Sequence, residues 1–210
     1  MPVKTKNSYK FVKEIAPREN LERRFYFIED EVLRKNIAIA FEYIVFLISL
    51  IDKQKLRRLM ASAVNKDMII YTAAIIESCL HYCLRKFIEL EMVESSEVMP
   101  WEWREEVCKE LYKTNDGREV CGIVRYKRIT KLTSNTNFIE INRACKKTKI
   151  LTKDLFKRSE KLRGQRNKIH LSGLKEIDNY YTKRDVNTQF NTAKRIIERI
   201  ENKMNKLGNN

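Results

Sequence analysis

Glycine, proline and histidine are the scarce residues of this chain: its 210 residues hold only five, three and two of them. So little glycine and proline leaves few natural breakpoints, and little of the turn chemistry that a many-stranded sandwich needs. The length suits one sizeable core, or one domain with an N-terminal extension. With 34% charged and 43% hydrophobic residues, the profile fits a soluble helical protein better than a sandwich or a disordered chain.

Cysteine offers no framework either. The five thiols, Cys79, Cys83, Cys108, Cys121 and Cys145, are odd in number and form no C-x-x-C pair. Cys79 and Cys83 lie four apart in an apolar helical pattern, so the set reads as reduced structural thiols of a cytoplasmic protein. A zinc site would need more ligands than two histidines and scattered thiols supply, and no metal or other cofactor is expected. Long apolar runs are also lacking. The run Ile37 to Ile51 spans fifteen residues and contains Glu42. It falls short of the ~20 residues needed to cross a bilayer and reads as a buried helix. The start, Met1-Pro2-Val3-Lys4, has no apolar signal core. The expectation is a cytoplasmic protein without a membrane partner.

What the chain does have is positive charge, unevenly placed. The net charge is +15, yet residues 1–120 carry equal numbers of each sign. Residues 121–170 hold 15 basic and 3 acidic side chains. A local excess of this size is the footprint of a polyanion-binding surface, or of a solvated basic face without a ligand.

Residues 1–17 read as a loose basic arm. A charged amphipathic helix is expected from Glu19 to about Lys35, and an apolar one from Asn36 to Ile51. Lys53 to Arg58 reads as a basic link. Asn65 and Asp67 offer N-caps for a helix running to about Met92 with its apolar residues at helical spacing. Within it, Glu77, His81 and Arg85 stand one turn apart. They form a surface ladder, or else Glu77 reaches across the bundle to orient Arg163 and Arg166. Pro100 and the two tryptophans, Trp101 and Trp103, open a helix to about Tyr112, with the tryptophans as packing anchors. Thr114-Asn115-Asp116-Gly117 is a turn. Cys121 to Leu132 is a short strand or an irregular crossing. Helices follow over Phe138–Lys147, Leu151–His170 and Lys183–Leu207, the second stopped by Ser172-Gly173.

The resulting fold class is all-α: a helical bundle over 61–210, an N-terminal arm and helical extension over 1–60, and a small extended insert near 120–132.

The chemistry concentrates in Leu162-Arg163-Gly164-Gln165-Arg166-Asn167-Lys168-Ile169-His170. On a continuous helix Arg163 and His170 lie ~20° apart, Arg166 ~40° from His170, and Asn167 ~60° to its other side. One face would then carry a proton-transfer group, two permanent cations and an amide. His170 is the nearby side chain that titrates near neutrality, and either arginine can clamp a phosphate with a planar fork of donors. Asn167 can hold the imidazole or a phosphate oxygen. Arg158, Lys161 and Lys168 add positive charge for a polyanion, which the resemblance given below makes RNA. A metal mechanism fits poorly, because 121–170 offers only Glu140, Asp154 and Glu160 as carboxylates.

Arg163…Arg166-Asn167…His170, near the end of a basic helix, resembles the HEPN superfamily. The stretch Tyr71-Thr72-Ala73-Ala74-Ile75-Ile76-Glu77-Ser78-Cys79-Leu80 is similar to the first bundle helix of such domains, and the resemblance spans roughly residues 66–206. The family pattern is Arg, four to six residues, then His, commonly with a polar residue after the Arg. Arg163 meets the spacing but is followed by Gly164. Arg166 is followed by Asn167, but only three residues separate it from His170. The resemblance implies an HEPN-type endoribonuclease that needs no metal, cleaving RNA by attack of the ribose 2′-hydroxyl to leave a 2′,3′-cyclic phosphate. It further implies a toxin–antitoxin or abortive-infection role in antiviral defence, and a homodimer bringing two His170 helices together. The alternative is a non-catalytic HEPN-like module that binds nucleic acid or an acidic partner protein such as an antitoxin.

Overall fold

The structure, a computed structural model, describes residues 18–169, 178 and 180–207. Seven α-helices and one hairpin make up the described chain: α1 (Arg18–Glu22), α2 (Glu31–Gln54), α3 (Arg58–Glu89), α4 (Ser95–Val98), β1 (Trp101–Lys113), β2 (Glu119–Ile129), α5 (Phe138–Lys147), α6 (Lys153–Asn167) and α7 (Lys183–Leu207). A 3-10 turn, Arg23–Phe25, follows α1.

The centre is α3, a helix of 32 residues. It packs against α2, α5, α6 and α7. Ile69, Ala73, Ile76, Leu80 and Leu84 are fully or almost fully enclosed, and their three- and four-residue spacing is the periodicity expected of a core helix. Burying one such side chain stabilises by roughly 1.5–3 kcal/mol, well above what an exposed ion pair contributes. The apolar stripe therefore sets the packing. By length and composition α3 is also the one helix among the described residues that could span a bilayer, and half of that window is buried inside the bundle.

The helix ends obey local rules. Asp30 caps α2, its Oδ1 accepting from Leu33 N at 3.0 Å. Thr152 caps α6 in the same way through Leu155 N. Asn137 and Glu140 form a capping box at α5, and Thr182 and Asp185 pair reciprocally at α7.

Several expectations need correction. The chain is mostly helical but not all-α, because β1 and β2 form a two-stranded antiparallel sheet. The stretch from Trp101 to Tyr112 is a strand rather than a helix. The reason lies in the ladder: register shifts between Glu105 and Val107 and between Glu110 and Tyr112 each place an extra residue in β1. Those two bulges break the period-2 alternation, leaving a spacing that imitates a helix. Thr114 to Arg118 closes the hairpin, with Thr114 N donating to Arg118 O at 2.8 Å and Gly117 at φ +83°, where glycine carries no steric penalty. The extended insert is thus a full strand, Glu119–Ile129, and half of a hairpin.

The tryptophans anchor no core: Trp101 is 53% and Trp103 64% exposed. The expected helix over 19–35 is broken at Tyr26–Asp30, where the Asp30 cap restarts the chain as α2. Residues 37–51 are buried on one side only; Ile39 and Ile48 face outward. Asn65 and Asp67 lie inside α3, not at its start. Asn65 is buried and donates from Nδ2 to the Tyr181 carbonyl at 2.9 Å, so its amide serves tertiary packing. Cys79, Cys83 and Cys145 are buried as expected, whereas Cys108 and Cys121 are exposed on the hairpin. All five are free thiols.

Asp30 links this fold to stability, since its Oδ2 also accepts from Arg85 Nη2 at 3.2 Å. Its pKa is held below 3.8 by the Leu33 backbone N–H and by Arg85. The contribution is present above the unfolded pKa and is lost as pH falls through the folded one. Asp30→Ala should cost about 1 kcal/mol at neutral pH. Thermal melts should show that deficit narrowing at about pH 3 and below. An unchanged deficit would assign the effect to packing rather than to the capping charge.

Candidate functional site

Polar residues on a buried helix must find partners or face the cost of desolvation. On α3 the column Glu77, His81 and Arg85 illustrates this, because each is satisfied by a different element and no ladder links Glu77 to the other two. Glu77 reaches α6: its Oε2 lies 3.2 Å from Arg166 Nη2, with side-chain exposures of 20% and 38%. His81 Nε2 is 2.9 Å from the Thr133 carbonyl. A carbonyl only accepts, so Nε2 carries the proton. Arg85 bonds Asp30 at the start of α2 and lies 3.6 Å from Glu89 within α3. The expectation that Glu77 crosses the bundle is met for Arg166 and not for Arg163.

Arg163 turns instead to Glu160, donating from Nε to both carboxylate oxygens at 3.2 Å and from Nη2 at 2.9 Å. Glu160 Oε1 also accepts from Asn142 Nδ2 at 2.6 Å, and Asn142 Oδ1 accepts from the buried Ser159 hydroxyl at 2.8 Å. This chain of bonds ties α5 to α6 and fixes the side of α6 on which its arginines project. Residues 163 and 166 lie ~60° apart around the helix, so both guanidinium groups share one side. Each is met by a carboxylate from a rigid helix, and a second anion could approach their remaining donors.

The carboxylate of Glu77 is under tension. Burial pushes its pKa above the ordinary 4.5, and the nearby Arg166 charge pulls it back. Desolvation is the larger of the two effects.

The expected histidine geometry does not extend as far as the sequence pattern implied. Helix α6 ends at Asn167. Lys168 N bonds Gln165 O and Ile169 N bonds Arg166 O, one residue tighter than the α-helical step. The helix expected to reach position 170 thus ends at Asn167. His170 itself lies outside the described residues, as does the stop Ser172-Gly173. Asn167 is the exposed last residue of α6.

The cations assigned to RNA behave differently from one another. Arg158 pairs with Asp154 at 2.9 Å, and Asp154 also lies 3.5 Å from Arg195. Lys161 is exposed on the same helix. Lys168 contributes through its backbone, its carbonyl accepting from Lys66 Nζ at 2.9 Å. Lys66 in turn pairs with Asp178 at 2.6 Å. That tie crosses more than 100 residues of sequence, and no local pattern announces it. Asn142 was legible in principle, as a polar residue on the apolar stripe of α5 among Phe138, Ile141 and Cys145. Among the described residues no three His, Cys, Asp or Glu side chains gather as metal ligands.

No protein-family model, curated protein or solved structure matches this chain. The chemistry of the site is therefore read from its own residues.

The raised pKa of Glu77 gives a signed test. Its folded state binds a proton more readily than the unfolded chain does. That contribution is full below the unfolded pKa and is lost as pH rises through the folded one. Wild type should accordingly gain stability relative to Glu77→Gln as pH is lowered from about 7 to about 4. Urea midpoints measured across that range check it, and a difference that moves the other way would place Glu77 in an environment dominated by Arg166.

Proposed function

We propose that the chain is a metal-independent endoribonuclease of the HEPN type, acting in the cytoplasm as a toxin or antiviral effector. The observation that carries the reading is the Glu77–Arg166 pair. It holds a guanidinium at the end of α6, four residues before the sequence's second histidine, on the side of the helix that also bears Arg163. The surrounding segment, 121–170, carries nearly all of the positive excess, which favours a polyanionic substrate.

In this reading the ribose 2′-oxygen attacks the adjacent phosphorus, the O2′–P bond forms and the P–O5′ bond breaks. His170 takes the 2′-hydroxyl proton or donates one to the departing 5′-oxygen. A second copy's His170, brought across a two-fold axis, supplies the complementary role. Arg166 or Arg163 holds the extra negative charge on the phosphoryl oxygens, and Glu77 orients Arg166. Asn167 positions the imidazole or a phosphate oxygen. Arg158, Lys161 and Lys168 lie along the path of the strand.

A second reading is favoured by one observation. Both guanidinium groups are already engaged by carboxylates, Arg163 by Glu160 and Arg166 by Glu77, as in a module that binds RNA or an acidic partner such as an antitoxin without cutting.

The purified chain should cleave single-stranded RNA in EDTA and leave 2′,3′-cyclic phosphate ends. His170→Ala should slow cutting by at least about 100-fold, and Arg166→Ala by about 100-fold. The circular-dichroism melt of His170→Ala should match that of wild type. Salt-dependent RNA binding without any cleavage selects the non-catalytic reading. Undiminished cutting by His170→Ala overturns the ribonuclease.

A further inference from the structure

Three of the five thiols are sealed in the bundle, while Cys108 and Cys121 stand exposed on the β1–β2 hairpin. No residue of either strand is buried. The hairpin is fastened at its base, where Thr130 donates to the Pro100 carbonyl through both N and Oγ1. Cross-strand ion pairs at Arg128–Glu102, Arg125–Glu105 and Lys113–Glu119 are open to solvent, and each contributes little. A lone two-stranded hairpin is marginal in water, and normally needs a third strand or a packed face. A covalent tie between its strands would change its standing.

The pairing register brings the two exposed thiols together. Cys108 stands opposite Ile123, Lys109 opposite Gly122 and Glu110 opposite Cys121, with no interruption between them. Side chains two residues apart on a strand share a face. Cys108, Glu110, Cys121 and Ile123 therefore lie on one side, with the two sulfurs as diagonal neighbours. They are close enough for the Cys108 thiol to hydrogen-bond to that of Cys121. In a regular ladder diagonal Cα atoms are ~7–8 Å apart, just beyond the ~4.4–6.8 Å that a disulfide spans. Register shifts flank this pair on both sides, between Glu105 and Val107 and between Glu110 and Tyr112. Bulges of this kind sharpen the right-handed twist, which carries diagonal partners across the ladder towards each other.

We propose that Cys108 and Cys121 form a reversible oxidation site, which closes to an intramolecular disulfide by exchange with a small-molecule disulfide and staples the hairpin. The sequence pattern read all five cysteines as structural, and this pair is the exception. Among the described residues no group of three metal-ligating side chains forms, so the chemistry of the pair is that of a dithiol. Its resting state in a reducing compartment is the open form, and the bond forms when the pool of small thiols is oxidised. A bond that is exposed and has to draw its strands together is also readily reduced again. The proposal stands independently of the ribonuclease reading.

The exchange runs in two steps. The hydrogen bond to Cys121 and the nearby Glu105 charge raise the Cys108 pKa, so the shared proton stays on Cys108 and Cys121 is the sulfur that attacks. Cys121 gives its own proton to water and attacks one sulfur of the small disulfide. A mixed disulfide forms, the small S–S bond breaks, and one small thiolate leaves. Cys108 then loses its proton and attacks the Cys121 sulfur. The Cys108–Cys121 bond forms, the mixed bond breaks, and the second small thiolate leaves. Two protein thiols are oxidised and one small disulfide is reduced to two thiols. The second step is intramolecular and meets a sulfur already at hand, which favours closure over a lasting adduct.

The test equilibrates the native chain with equal concentrations of reduced and oxidised glutathione, quenches it in acid, then unfolds it and caps free thiols with N-ethylmaleimide. Wild type should keep three of its five thiols, carry no glutathione, and show a Cys108–Cys121 bond in its peptide masses. Cys108→Ser should instead hold glutathione on Cys121, because the second sulfur is missing. Hydrogen exchange gives a readout that needs no variant. Amide protection in β1 and β2 should rise by on the order of 10-fold or more on oxidation, and return with dithiothreitol, while that of α3 stays constant. Wild type that remains fully reduced, that collects glutathione on both hairpin sulfurs, or that links one chain to another overturns the proposal. So does a closed bond that leaves hairpin exchange unchanged. None of these readouts depends on RNA cleavage.

Discussion

The burial of α3 is the constraint on which the rest depends. A helix enclosed by α2, α5, α6 and α7 has room for polar side chains only along the seams between neighbours. Glu77, His81 and Arg85 lie along such a seam, and each is obliged to find a partner on another element. The partners are Arg166 on α6, the Thr133 carbonyl before α5, and the Asp30 cap of α2. One hydrophobic commitment therefore goes with three polar attachments to neighbouring elements. This is the converse of a structure in which polar contacts are added to a finished core.

The same logic gives α6 its orientation. Leu155, Ser159 and Leu162 are its buried residues, and Ser159 is admitted only because Asn142 receives its hydroxyl hydrogen. Asn142 then passes its amide to Glu160, which holds Arg163. The projecting cations are supported from beneath by a hydrogen-bonded chain rather than by free rotamers. A half-buried carboxylate from α3, Glu77, meets one of them, Arg166, at 3.2 Å.

How much of this was legible in the sequence differed by element. Helices with a clear apolar period, such as Phe138–Lys147 and the one starting at about Lys183, were legible, because their patterns are set by one-sided burial. The hairpin was misread in its first strand, because two extra residues disturbed the alternation that identifies a strand. The break at Tyr26–Asp30 was missed because the charged stretches on either side of it read as one continuous helix, although Asp30 is a residue type favoured at helix starts. At the site, the i, i+4 column on α3 was visible, and the crossing from Glu77 to the arginine helix stood as one of its two readings beside a surface ladder. The Lys66–Asp178 tie was not visible, because a long-range polar pair leaves no periodic trace; Asn142 stood out on its apolar stripe, but its partners Ser159 and Glu160 did not. The end of α6 at Asn167 was hidden by a continuation of helical composition beyond the point where the hydrogen bonds tighten.

The division of the thiols has a practical consequence. Burial pushes Cys79 and Cys145 well above the ordinary range, and Cys83 up to about 12, so all three are held as unreactive sulfhydryls while the bundle is intact. Cys108 and Cys121 lie side by side in the open. A maleimide dye added to the native protein would mark the hairpin alone, without mutagenesis. Capture of the remaining three sulfur atoms would then serve as a clock for the opening of the core.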